Sequence, residues 1–281
     1  MSVRRPLVLV LALLALVIAG CGGHRPAQPM MVGSGAGPES ALVGQLYAAA
    51  LRYYGTPAEV TAVKGALDAL DSGEVTVLPG FTGQLLRLFD PDAVAHSDEQ
   101  VYRDLVSVLP EGVAAGDYTM SAQDKPAMVV TEATASAWGG TDLSVLRRNC
   151  DKVVPGAVAG SHPPSSIGIC VPRKVREFAD RESLFAALRQ GTINAAWATT
   201  ADPEIPSEFV ALADRTALIR AENLIPLYRR NALSERQILA LNEIAGVLDT
   251  GSLADMRRKV AEGADARAVA EDFLQANPLG H

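Results

Sequence analysis

Beyond the first thirty residues, short apolar runs with period-two spacing alternate with longer stretches at helical spacing, a pattern that predicts an α/β fold. Met31 and Val32 end a short strand, residues 33–37 form a glycine-rich loop, and Pro38 sits at the first position of a helix with Glu39 in its first turn. That helix is expected to run to Tyr54 and stop at Gly55. A second helix is expected over 57–70, a strand over 75–78 and a further helix over 82–89. Ser97 and Gln100 have the spacing of a capping box for a helix ending near Leu109. Strands are expected over 118–120, 127–131, 153–159, 193–196, 209–212 and 224–228, with helices over 142–148 and 183–189. Three helices, over 234–248, 252–261 and 264–276, close the chain. Strands and helices alternating in this way predict parallel sheets covered by helices on both faces.

The N-terminus follows a different pattern. Arg4 and Arg5 precede an apolar stretch over 6–18, and Ala19-Gly20-Cys21 follows it, the pattern of a secretory signal that is too short for a comfortable membrane span. The run Ile18-Ala19-Gly20-Cys21 resembles the lipobox of bacterial lipoproteins. That resemblance implies a signal peptide over 1–20, a lipidated Cys21 as the new N-terminus, and a tether over 21–30. The body is then expected outside the cell, anchored to the outer face of the cell membrane. In an oxidising compartment, with Cys21 consumed by lipid, Cys150 and Cys170 form an even pair and are expected to be joined. Two buried free thiols are the alternative.

Composition narrows the chemistry. The 281 residues are 48% hydrophobic and carry a formal net charge of −7, enough to bury a full core and without the basic field a nucleic-acid surface needs. His24, His96, His162 and His281 are scattered without metal-ligand spacing. Gly33, Gly35 and Gly37 match neither dinucleotide nor phosphate-loop spacing. Gly160-Ser161-His162 lacks the Gly-x-Ser-x-Gly turn of a nucleophile elbow, and Asp90 and Asp92 flank a proline in a loop. No enzyme, cofactor or metal is expected.

The segments Val32-Gly33-Ser34 and Leu78-Pro79-Gly80-Phe81-Thr82-Gly83-Gln84 are followed by Gly191-Thr192-Ile193-Asn194-Ala195-Ala196 and Asp202-Pro203. After them come Leu212-Ala213-Asp214, Asn223-Leu224-Ile225-Pro226 and the terminal Val269-Ala270-Glu271-Asp272-Phe273-Leu274. In order and spacing this series resembles the osmoprotectant-binding proteins of ABC importers, the binders of glycine betaine, choline and carnitine. The resemblance implies a two-lobed type II periplasmic-binding-protein fold with crossovers near 124–127 and 222–226. Lobe one would be 31–125 plus 225–281, and lobe two 126–224. It also implies a monomer that closes on a small solute, a quaternary ammonium compound or a polyol, and delivers it to ABC permease subunits.

In that family a box of aromatic rings holds the ammonium group, because ring faces attract a cation that has no hydrogen to donate. At the matching positions this chain has Phe81, Pro126 or Ala127, Thr199 and Glu222, while Gly35 replaces a lysine and Gln84 a threonine. The ligand-binding residues expected from the resemblance are Ser34, Phe81, Thr82, Gln84, Asp124, Trp197, Thr199 and Glu222. The loss of rings leaves a second expectation open: a lipoprotein that keeps the fold but serves as a sensor or protein-interaction module without transport.

Overall fold

The computed structural model describes residues 28–280. The signal segment, Cys21 and the tether as far as residue 27 lie outside the described residues, as does His281. In chain order the first part comprises β1 (Met30–Ser34), α1 (Pro38–Tyr53), β2 (Ala58–Ala62), α2 (Ala66–Ser72), β3 (Val77–Phe81), α3 (Thr82–Phe89), α4 (Asp98–Val108) and β4 (Val113–Ala115). The middle comprises β5 (Pro126–Thr131), α5 (Glu132–Trp138), α6 (Leu146–Asn149), β6 (Pro155–Val158), β7 (Arg176–Phe178), α7 (Arg181–Arg189), β8 (Ala195–Thr199) and β9 (Phe209–Ala211). The last part is β10 (Leu224–Arg229), α8 (Glu235–Asn242), α9 (Ile244–Val247), α10 (Thr250–Ala261) and α11 (Ala266–Ala276).

The strands form two separate five-stranded sheets, ordered β2-β1-β3-β10-β4 and β7-β6-β8-β5-β9. Each has core on both faces. In the first lobe α1 buries Leu42, Leu46, Tyr47 and Leu51 with α8, α10 and α11, and Leu86, Val101, Leu105 and Ile225 fill the opposite face. In the second, Met128, Leu143, Leu146 and Trp197 lie on one side and Leu184, Phe185, Ile193 and Phe209 on the other.

The alternation had predicted parallel sheets; both sheets are instead mixed. β10 runs antiparallel to β3 and β4, and β5 antiparallel to β8 and β9. Both are the strands by which the chain arrives from the other lobe. Such a strand enters at the edge where the parallel strands leave and must run against them. Between the lobes the two crossing segments pair with each other: Gln123 bridges Asn223, and the Asp124 N–H donates to the Glu222 carbonyl at 2.8 Å. β10 already begins at Leu224, so 224–226, expected in the second crossover, lie in the first sheet.

Other local expectations change for identifiable reasons. The helix expected over 57–70 begins instead as β2, where Val60 and Thr61 favour extended backbone and pair in register with β1 from Met30–Ala58 to Ser34–Ala62. The strand expected over 118–120 is irregular; Thr119 is pinned there by its hydroxyl, which donates to the Ala122 carbonyl at 2.6 Å and accepts the Leu224 N–H at 3.0 Å. The helix expected over 234–248 is broken at Glu243, whose carboxylate accepts the Tyr54 hydroxyl at 2.6 Å. α5, unforeseen, starts under the Thr131 side chain, which accepts the Thr134 N–H. Cys150 and Cys170 are joined, with their Cα atoms 5.5 Å apart.

Candidate ligand-binding site

Two parallel strands of the first lobe end side by side at Ser34 and Phe81, and α1 and α3 start just beyond them. Ligands of α/β sheets collect beyond such carboxyl ends, where helix N-termini present amide donors. A cavity of about 590 Å³ lies here, lined among others by Ser34, Glu39, Phe81, Gln84, Asp124 and Arg257. Of the eight expected residues, Ser34, Phe81, Gln84 and Asp124 therefore share one cavity. Gly35, where the family resemblance implied a lost lysine, donates its N–H to the Ser40 hydroxyl at 2.7 Å, and a Cβ there would meet that oxygen at 2.9 Å. The close approach of Ser40 leaves no room for a side chain unless it moves.

Arg257 was not foreseen, although its position carries a signal. Leu253, Met256, Arg257 and Val260 fall on the buried face of α10, so the arginine stands where periodicity calls for an apolar residue. Its neighbour Arg258 bonds Asp255 and Glu262 on the outer face. Arg257 is 5% exposed and pairs with Asp124 at 2.8 Å. Its guanidinium carbon lies 5.9 Å from the centre of the Phe81 ring, within reach of a cation–π contact. Glu39 stands 3.8 Å from its Nε. Arg257 Nε and Asp124 Oδ1, both buried, have no hydrogen-bond partner among the described residues.

Thr82 and Glu222 depart from the expectation that they face this ligand. Thr82 is fully buried; its hydroxyl accepts the Asn223 N–H at 3.1 Å and points back at the Ala221 carbonyl, tying α3 to the returning crossover. Glu222, 2% exposed, is directed at the start of α3, where its carboxylate accepts the Gln84 N–H at 2.8 Å and pairs with Arg87 at 3.1 Å. A carboxylate at a helix N-terminus is favoured by the amide groups left free there. Gly83 makes the approach possible, since a Cβ at that position would lie 2.5 Å from the Ala221 carbonyl oxygen and 2.8 Å from the Glu222 carboxylate. Burial pushes the Glu222 carboxyl up to about 7, a rise that Arg87 and the Gln84 N–H partly offset. Glu222 borders a different cavity, of about 450 Å³, together with Arg87, His96, His162 and Arg220. Arg220 fastens this region across the lobes, donating to the Ala95 carbonyl at 3.0 Å and to the Ala93 carbonyl.

The second lobe contributes its own face. Trp197 and Thr199 end β8 opposite Met128 and Pro126 of β5 and line a cavity of about 260 Å³ with His162 and Arg181. Most of Trp197 is core, packed with Met128 and Leu146, and Thr199 is half-buried. The expected residues are thus divided between one face on each lobe, with Glu222 in the connection between them and Thr82 buried against that connection at the start of α3. A further cavity of about 590 Å³, bordered by Tyr102, Met120, Leu239 and Leu279, contains none of them.

A family model described as the substrate-binding domain of ABC-type glycine betaine transport systems matches residues 28–276. No curated protein matches the chain. Among solved structures, apo YehZ from Escherichia coli is similar at 21% identity and a TM-score of 0.69, over 90% of this chain and 99% of that one. A glycine betaine/carnitine/choline ABC transporter structure is similar at 14% identity and a TM-score of 0.71, over 88% of this chain and 98% of that one. Lactococcal OpuAC, in its closed form with glycine betaine, is similar at 10% identity and a TM-score of 0.52, over 89% and 96% of the two chains. At these identities the likeness shows the fold, two α/β lobes of the type II periplasmic-binding-protein kind.

Proposed function

The chain belongs to the family of substrate-binding domains of ABC-type glycine betaine transport systems, and on that premise we propose that it captures a small polar solute between its two lobes and delivers it to an ABC permease. The observation that supports this reading is the division of the candidate residues between a cavity on each lobe. Ser34, Phe81, Gln84, Asp124 and Arg257 line one, and Trp197 and Thr199 the other. The connection is a pair of crossing segments held together by few main-chain bonds. Rotation about such a connection would bring the faces together around a solute and alter the surface offered to a permease. Nothing in this role calls on a catalytic group.

The reading is tested by a thermal-shift screen of residues 22–281 against betaine, choline, carnitine, proline, other amino acids, sugars and polyamines. A true ligand at about 100 times its dissociation constant is expected to add about 2.7 kcal/mol of stability. A protein whose melting is unmoved by every solute would instead support the alternative role of sensor or protein-interaction module without transport.

The lipid anchor is part of the same proposal. The basic residues, apolar stretch and lipobox-like run ending at Cys21 support export and attachment to the outer face of the membrane. Acyl chains contribute about 0.8 kcal/mol per buried CH2, so several hold a body of this size at a bilayer. Cys21→Ala is expected to leave the protein unprocessed or to free it from the membrane fraction; identical detergent partitioning of wild type and variant would remove the anchor.

A further inference from the structure

Resting on the solute-binding reading of the first-lobe cavity, we infer that this cavity selects an amine that still carries N–H donors, in preference to a fully methylated ammonium. The ring that would attract a methylated cation already has one beside it: Arg257 stands 5.9 Å from the Phe81 ring centre, held there by its pair with Asp124. Phe81 is also the cavity's one aromatic residue among those described. A second cation brought to that ring would meet the guanidinium's charge in a partly desolvated site.

What the cavity leaves unsatisfied is directional. Asp124 Oδ1 lacks a donor and Arg257 Nε lacks an acceptor among the described residues, and both atoms are buried. Burying such groups unpaired is costly, and both residues line the cavity, so a ligand that draws either side chain toward it gains most by supplying both partners. An N–H of an ammonium group answers Asp124, and a neighbouring hydroxyl or carboxylate oxygen answers Arg257. A trimethylated nitrogen has no hydrogen to give. The charge balance agrees: Glu39 and Asp124 set two carboxylates against the one guanidinium of Arg257 among the described lining residues, which suits a ligand carrying positive charge. Ser34 and Gln84, which also line the cavity, offer further polar contacts to the ligand's oxygen end.

The test is a calorimetric titration of residues 22–281 with ethanolamine, its N-methyl and N,N-dimethyl derivatives, and choline. These share one hydroxyl end and one positive charge, and each methyl removes one N–H. Affinity is expected to fall along the series, by about tenfold or more from ethanolamine to choline. In Asp124→Asn, which keeps the side chain's shape and removes its charge, the dependence on methylation is expected to flatten. Should that variant not fold, the wild-type series decides alone. Affinity that rises with methylation, or a series as steep in Asp124→Asn as in wild type, overturns the inference while leaving the binding-protein reading in place. Binding of betaine or another solute with no binding of ethanolamine does the same. Failure of every solute in the thermal screen removes the reading on which the inference rests.

Discussion

Arg257→Met is expected to lower the free energy of unfolding by about 3 kcal/mol, the usual consequence of removing one partner of a buried ion pair. Methionine fills much of the volume between Met256 and Val260 on the inner face of α10. It cannot answer Asp124, whose side chain is only 12% exposed and already has one oxygen without a partner. The variant also gives up a weak bond from the guanidinium to the Ala201 carbonyl of the second lobe, so part of the loss falls on the contact between lobes. Most of the penalty comes from the stranded carboxylate, and the double variant Arg257→Met with Asp124→Leu is therefore expected to be more stable than Arg257→Met alone. Urea unfolding measures both. An Arg257→Met protein within about 1 kcal/mol of wild type would mean that the pair is exchanged for water at little cost.

Loss of the disulfide is the second large effect. Cys150→Ala with Cys170→Ala is expected to destabilise the protein by about 3 kcal/mol, the chain-entropy cost of leaving a loop of this length open in the unfolded state. The bond joins the turn after α6 to a short hairpin in which Ile167 and Cys170 pair. Between them the chain carries β6 and a long connection that includes Ser161, His162 and Pro163 on the wall of the second-lobe cavity. The hairpin exposes Ile169 and Val171 and packs mainly through Ile167 and Cys170, so it has little apolar burial to replace the covalent tie. Reduction should therefore loosen this wall before it unfolds the first lobe. Peptide mapping under non-reducing conditions is expected to recover 150 and 170 in one fragment pair. Equal melting of wild type and the double variant would show that the tie adds nothing.

The parts of this fold that were legible in the sequence are those fixed by local chemistry. The helix starts at Pro38, Ser97 and Ser234 and the α3 segment after Phe81 all lie where caps and apolar spacing put them, whereas Gly33 and Ser34, expected in the glycine loop, still belong to β1. β2 was hidden because Pro57 can open a helix as easily as precede a strand, and only pairing with β1 selects between them. The direction of β5 and β10 depends on which lobe the chain comes from, a long-range property no local window contains.

The site divides along the same line. Ser34 and Phe81 close their own strands, two and three positions beyond the ends that apolar spacing gave, and it is the family motif that marked them. Thr82 and Glu222 were assigned to the ligand by alignment with a motif, yet Thr82 is turned toward the crossover and Glu222 toward the start of α3 by contacts with residues well over a hundred positions away. Arg257 escaped notice because no family motif marked it, although an arginine on the inner face of an amphipathic helix asks for a buried partner. That partner, Asp124, is equally far away in sequence.

The most direct test of the central claim, that a solute is held between two half-sites, is a crystal structure of residues 22–281 with the solute that stabilises them most. The account predicts density for the ligand bounded by Ser34, Asp124 and Arg257 on one side and by Thr199 and the end of β8 on the other, with the two sheets closer together than in the free protein. Density in the apolar groove beside Met120 and Leu239, or on one lobe with no change in the angle between the sheets, would contradict it.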